Sequence, residues 1–148
     1  MKDYPQCPLL LAIFHLLRDI NSVFRSNNRI ILKDYGITLI QFHALQAVKE
    51  ETITMGELCD ILELASSTVT ELVDRLEKKN LLKRVRDQQD RRVVRLRLCP
   101  LGQRLIEQVE QHNQSFLDDS AGVMMSQEEI QNLYTLLKQF KKGIHHQS

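Results

Sequence analysis

Three absences narrow this 148-residue chain before any pattern is read. No apolar run approaches the about 20 residues that span a bilayer, and the stretch Leu9 to Leu17 is broken by His15 and lacks a small-residue cleavage site, so a cytoplasmic protein without membrane contact is expected. Cysteine is scarce. Cys7, Cys59 and Cys99 are odd in number and far apart, which indicates neither a disulfide framework nor a C-x-x-C metal knuckle and leaves thiols. Catalytic signatures are missing too: there is no glycine-rich phosphate loop, no H-E-x-x-H, no G-x-S-x-G, and no histidine visibly paired with a serine or cysteine. Neither an enzyme nor a cofactor nor a metal is expected. With 43% hydrophobic and 26% charged residues and no repeat or low-complexity tract, the chain suits one compact domain, or a small module plus helices that need a partner to cover them.

What the chain does have is charge in one place. The formal net charge is only +1, yet the segment from Arg75 to Arg97 holds ten Lys or Arg against Glu77, Asp87 and Asp90, a local excess of +7 that the remainder offsets with −6. A neutral protein with one strongly basic segment fits a polyanion-binding element on an ordinary scaffold. A solvated charged face is the alternative, and the surrounding elements decide between them.

From Leu9 to about Leu32, Leu10, Ile13, Leu17, Ile20 and Phe24 step by three and four, which predicts one long helix. A second stripe, Leu9, Leu16, Val23 and Ile30, recurs every seven residues on a neighbouring face, so the helix requires burial on more than one side. After a turn at Asp34-Tyr35-Gly36, Thr38 and Gln41 form a capping box that opens a second helix, and Thr54 and Glu57 form another that opens a short third one. Glu63-Leu64-Ala65 is the brief connection expected between crossing helices. The next helix, from Ser66 to Lys79, gathers Val69, Leu72, Val73 and Leu76 on one face, and Asn80 ends it in a left-handed conformation. Two strands are predicted, Leu81 to Arg86 and Val93 to Leu98; in the second, Val94, Leu96 and Leu98 alternate with Arg95 and Arg97, which reads as one buried and one cationic face. Pro100 opens a further helix, and Ser126 with Glu129 caps a last one. The fold class is therefore mainly α with a small β-hairpin wing.

Helix, helix, short turn, helix and basic hairpin is the order of a winged helix-turn-helix. A major groove about 12 Å wide admits a helix, whose N-terminal residues meet the bases. Here these are Ser66, Ser67, Thr68 and Thr70, small and polar, with Arg75 farther along. Plain helix capping is the other reading of the serines and Thr68. In the wing the candidate contacts are Arg84, Arg86, Asp90, Arg91 and Arg92, the last two at a tip narrow enough for a minor groove. The segment from Thr54 to Asp74 has five acidic residues and no Lys or Arg, so electrostatic affinity must come from later residues. Glu71 would repel phosphate unless it finds a donor.

The run LELASSTVTELVDRLEKKN, residues 62 to 80, followed by LLKRVRDQQDRRVVRLRLCPLG, resembles the recognition helix and wing of the MarR (multiple-antibiotic-resistance regulator) family. Asp87, Asp90, Arg91, Arg92 and Gly102 match its D-x-R-D-R-R tip and the helix start that follows; Gln89, Glu63, Ala65, Asn80 and Pro100 depart from it. The resemblance, which covers nearly the whole chain, implies that Arg92 reaches the minor groove and that Asp90 orients it. It also implies a homodimer built from an N-terminal helix (residues 1–36) and C-terminal helices (100–148) around a winged helix-turn-helix (37–99). Phe116, Leu117, Leu133, Leu136, Leu137 and Phe140 are candidates for that interface or for intramolecular core. A two-fold dimer would read a pseudo-palindromic operator in double-stranded DNA.

Family members are commonly released from DNA by a phenolic or other small hydrophobic effector, or by cysteine oxidation; Cys7, ahead of the first helix, is the candidate redox sensor. His43 and His112 lie in elements from which a zinc-responsive branch draws ligands, but no converging set of about four is evident. The expected function is thus a sequence-specific transcriptional regulator, a repressor released by a small ligand or by oxidation. The alternative is a winged-helix protein-interaction module without DNA binding.

Overall fold

The computed structural model describes residues 7–49, 51–87 and 89–145. The chain divides into two compact units, residues 1–110 and 111–148.

The first unit begins with α1 (Pro8–Asp34), started by a proline in its first turn. It continues through α2 (Leu39–Ala47), the two-residue β1 (Ile53–Thr54), α3 (Met55–Leu62), α4 (Ser66–Lys78), β2 (Leu82–Arg86), β3 (Val94–Leu98) and the first half of α5 (Pro100–Asp119). Both expected capping boxes form. The Thr38 and Thr54 hydroxyls accept the backbone N–H of Gln41 and Glu57, whose side chains return to the backbone N–H of the threonines. Those bonds from Thr54, backbone first, hold the Glu57 carboxyl below the usual carboxylate range.

Three helix ends share one closure. At α1, α3 and α4 the chain turns back through a left-handed residue, Gly36, Glu63 and Asn80, with φ of 60°, 53° and 54°. In each, the next residue's N–H reaches the carbonyl five positions back: Ile37 to Leu32 at 3.1 Å, Leu64 to Cys59 at 3.2 Å, Leu81 to Leu76 at 3.0 Å. These stops hold the crossing helices at short loops.

The sheet is antiparallel in the order β1-β3-β2, with Ile53 opposite Leu96 and Leu82 opposite Leu98. β1 was not expected from the sequence, because two residues carry no period to detect. The strand faces also differ from expectation. Leu96 is buried, but Val94, near the tip, is exposed beyond the core, and Arg95 is drawn into polar contacts described below. Leu32, Phe42, Leu45, Leu58, Val69, Val73, Leu76, Leu82, Leu96, Leu105 and Ile106 form one core; each fully buried side chain of this kind contributes about 1.5–3 kcal/mol relative to exposure. Gly102 sits where α5 passes the chain leaving α4: a β-carbon there would lie 2.0 Å from the Leu81 carbonyl oxygen. Most of α1 makes no such contribution within this chain. Only Asn28 and Leu32 are buried, and the heptad stripe Leu9, Leu16, Val23 and Ile30 is 71%, 61%, 50% and 67% exposed.

The second unit contains the end of α5, the short α6 (Ala121–Met124), not expected from the sequence, and α7 (Gln127–His145). Ser126 and Glu129 form the expected capping box at α7, with the Glu129 carboxylate 2.8 Å from the Ser126 N–H. Leu117, Leu133, Leu136 and Leu137 are exposed, and Phe116 and Phe140 are half-buried. Among the described residues no helix is long and apolar enough to cross a membrane, and no group of three potential ligands could hold a metal ion.

Candidate nucleic-acid interface

α4 buries Val69, Leu72, Val73 and Leu76, so at 100° per residue its opposite face is centred on Ser67, Glu71 and Lys78. Ser66, Ser67, Thr68 and Thr70 are all exposed. The helix N-cap is Ala65, which offers no side-chain bond, so the serines lie inside the first turn and do not cap. The first N–H groups of α4 are therefore left by the protein for a phosphate or other acceptor. Thr70 is less free than its neighbours, since its hydroxyl donates to the Ser66 carbonyl at 2.8 Å. Arg75 is exposed one turn beyond Glu71, with 3.8 Å between guanidinium and carboxylate. At that distance the two form a loose ion pair and no hydrogen bond, and exposed pairs of this spacing contribute little to stability.

The wing tip is organised by Asp87. One of its oxygens accepts the backbone N–H of Gln89 at 2.7 Å and of Asp90 at 3.1 Å, while the other accepts the Arg95 guanidinium. The Arg95 bond first, then the two backbone bonds, lower the Asp87 carboxyl from an ordinary 3.8 to about 2. Arg95 also donates to the Thr52 carbonyl at 3.2 Å, which ties the tip to the entry of β1. Asp90 in turn accepts the backbone N–H of Arg92 at 3.0 Å and its Nε at 3.4 Å, leaving the Arg92 side chain 93% exposed. Arg86 and Arg91 are exposed and make no ion pair among the described residues.

Arg84 is placed differently from the other wing candidates. It lies on the sheet face shared with Leu96, is 29% exposed, and pairs with Asp74 at 2.8 Å and with Glu77, both on α4. Glu77 also accepts the Arg84 backbone N–H at 2.7 Å. The charge of Arg84 is thus spent inside the protein, where it braces the wing against α4. The sequence reading missed this brace and the Asp87 hub, although Asp87 two residues before an N–H it accepts is the spacing of an Asx turn. Of the remaining candidates, Cys7 is exposed at the N-cap of α1, Cys59 packs partly buried against the core and Cys99 is half-buried. His43 is exposed and His112 half-buried, in different units.

The sequence model of the MarR family matches residues 35–93, from the end of α1 to the wing tip. The chain is 44% identical over 104 residues to the uncharacterized HTH-type transcriptional regulator YsmB of Bacillus subtilis, an alignment covering 70% of this chain and 71% of that one. Among solved structures, a MarR family protein from Bacillus stearothermophilus superposes with a TM-score of 0.78 at 37% identity, over 93% of this chain and 96% of the other. Transcriptional regulator Tm0710 of Thermotoga maritima gives 0.73 at 32% identity over the same shares. With 44% identity over most of a regulator's length and the same winged helix-turn-helix, the chain belongs to the MarR family of HTH-type transcriptional regulators.

Proposed function

We propose that this regulator is a homodimeric, cytoplasmic, sequence-specific repressor that binds pseudo-palindromic duplex DNA and is released by a small hydrophobic anion. The observation that carries the DNA-binding part is the joint presentation of two elements. An uncapped helix start with Ser66, Ser67 and Thr68 suits the major groove, and a tip with exposed Arg91 and Arg92 suits the minor groove. Ser67 and Thr68 approach base edges, Arg91 and Arg92 enter the minor groove, and Arg86 contacts phosphate.

Support for the dimer comes from the apolar stripe of α1 and from the exposed leucines of α7, too many for a monomer to leave in water. Support for the effector comes from a cleft of about 590 Å³ beside the α1–α2 turn. Its floor is Leu32, Ile37 and Leu39 and its rim is Arg25, Arg29 and Lys33, one cation per turn of α1. An aromatic or aliphatic carboxylate fits both the floor and the rim. This cleft favours ligand release over oxidation, for which Cys7 offers exposure alone.

The testing experiment is binding of the purified protein to the duplex upstream of its own coding region at two salt concentrations, with and without a series of aromatic carboxylates. Specific binding that weakens with salt and with ligand is expected. No affinity for duplex DNA at low salt would leave the alternative, a winged-helix module that docks another protein.

A further inference from the structure

Four of the ten cations between Arg75 and Arg97 have carboxylate partners: Arg75 with Glu71, Arg84 with Asp74 and Glu77, Arg92 with Asp90, and Arg95 with Asp87. Arg86 and Arg91 belong to the tip. Lys83 and Arg97 do not. They lie nearer the base of the hairpin, directly opposite each other in the β2–β3 register, and both are exposed. Opposed residues of an antiparallel pair share a face, so two like charges stand side by side, an arrangement that destabilises a sheet. Neither makes an ion pair among the described residues; Glu51 and Glu107 share a cleft with Arg97 without pairing to it. On its other side Arg97 lines a second cleft, of about 320 Å³, with Arg86 and Arg95, whose single carboxylate, Asp87, is already engaged by Arg95. Carboxylates thus lie near this face, Glu51 and Glu107 beside Arg97 and Asp87 on Arg95, yet among the described residues none is paired with Lys83 or Arg97.

We propose that Lys83 and Arg97 form a second DNA contact, separate from the tip, that takes phosphates flanking the minor groove. The inference rests on the DNA-binding reading above. Its geometry follows from strand rise. At about 3.4 Å per residue, Arg97 stands about 10 Å behind Val94, while a minor groove is about 7.5 Å deep. With the tip in the groove, the base of the hairpin stays outside it, beside the phosphate wall. Side chains there meet backbone and no base edge, so they extend the footprint without adding sequence preference.

The experiment compares wild type with Lys83→Gln/Arg97→Gln on a long duplex from the upstream region and on one trimmed to the stretch covered by α4 and the wing tip. Each phosphate contact adds about 0.9 to the slope of log affinity against log salt, so the double variant is expected to lose about 1.8 per protomer on the long duplex and less on the trimmed one. Its base preference should be unchanged. Lys83→Glu serves as the second variant: it replaces a repulsive pair by an attractive one, so it should melt no lower than wild type while losing the Lys83 contact and drawing Arg97 away from phosphate. An unchanged salt slope on the long duplex in both variants overturns the proposal and leaves this face to an acidic protein partner. Failure of the wild type to bind any duplex would instead overturn the DNA-binding reading beneath it.

Discussion

Glu63 holds a left-handed backbone, φ 53°, at the turn between α3 and α4. An L-residue there carries a steric penalty of about 1–2 kcal/mol that glycine avoids, part of which glycine returns through its freer unfolded state. Glu63→Gly is therefore expected to raise stability by up to about 1 kcal/mol, read as a higher denaturation midpoint with an unchanged slope. Gly102→Ala should do the opposite. Its β-carbon would meet the Leu81 carbonyl, and moving that backbone is expected to cost about 1–3 kcal/mol, measured by the same denaturation. Among the residues proposed to face DNA, Arg92→Ala should weaken binding across many sequences, while Thr68→Ala should relax discrimination at particular base pairs. A panel of operator variants separates the two outcomes, and unchanged binding by both would remove the site assignment.

At the scale of the element, the wing depends on a carboxylate whose pKa is depressed. A group with a folded value of about 2 against an ordinary 3.8 contributes stability that is fully present above the ordinary value and is lost as pH falls toward 2. Amide exchange at Gln89 and Asp90 should thus become faster, relative to amides in the core, as pH is lowered across that window. Asp87→Asn should show the faster exchange already at neutral pH. Helices were the legible elements. Three of their starts are written as threonine or serine three residues before Gln or Glu, and the boxes at Thr38, Thr54 and Ser126 form, whereas the same spacing at Thr68 and Glu71 falls inside α4. The hairpin was legible in outline because alternation marks Leu96 and the tip residues cluster as polar. What sequence could not convey was partnership across elements. Arg84, Arg86, Arg95 and Arg97 are equivalent as letters, yet one braces α4, one anchors Asp87 and two remain open, because cross-strand register and the position of α4 assign the roles. β1 and α6 escaped for a simpler reason, being too short to show a period.

At the scale of the whole molecule, α1 and α7 each carry exposed apolar residues, among them Leu9, Leu16, Val23 and Ile30 on one and Leu133, Leu136 and Leu137 on the other. Solution mass should report a dimer, and Leu16→Glu with Val23→Glu, which put charge on that stripe, should yield a monomer with helical content retained. Because the core of the first unit does not use these side chains, the winged fold should survive the change, and DNA affinity should fall as two half-sites become independent. The brace between Arg84 and the pair Asp74 and Glu77 has a consequence at this scale as well. On the proposed reading, it makes α4 and the wing a caliper with fixed jaws, one for each groove. Such a caliper gauges the twist of the duplex, so overwinding or unwinding the DNA between the jaws would act as a mismatch without any change of base.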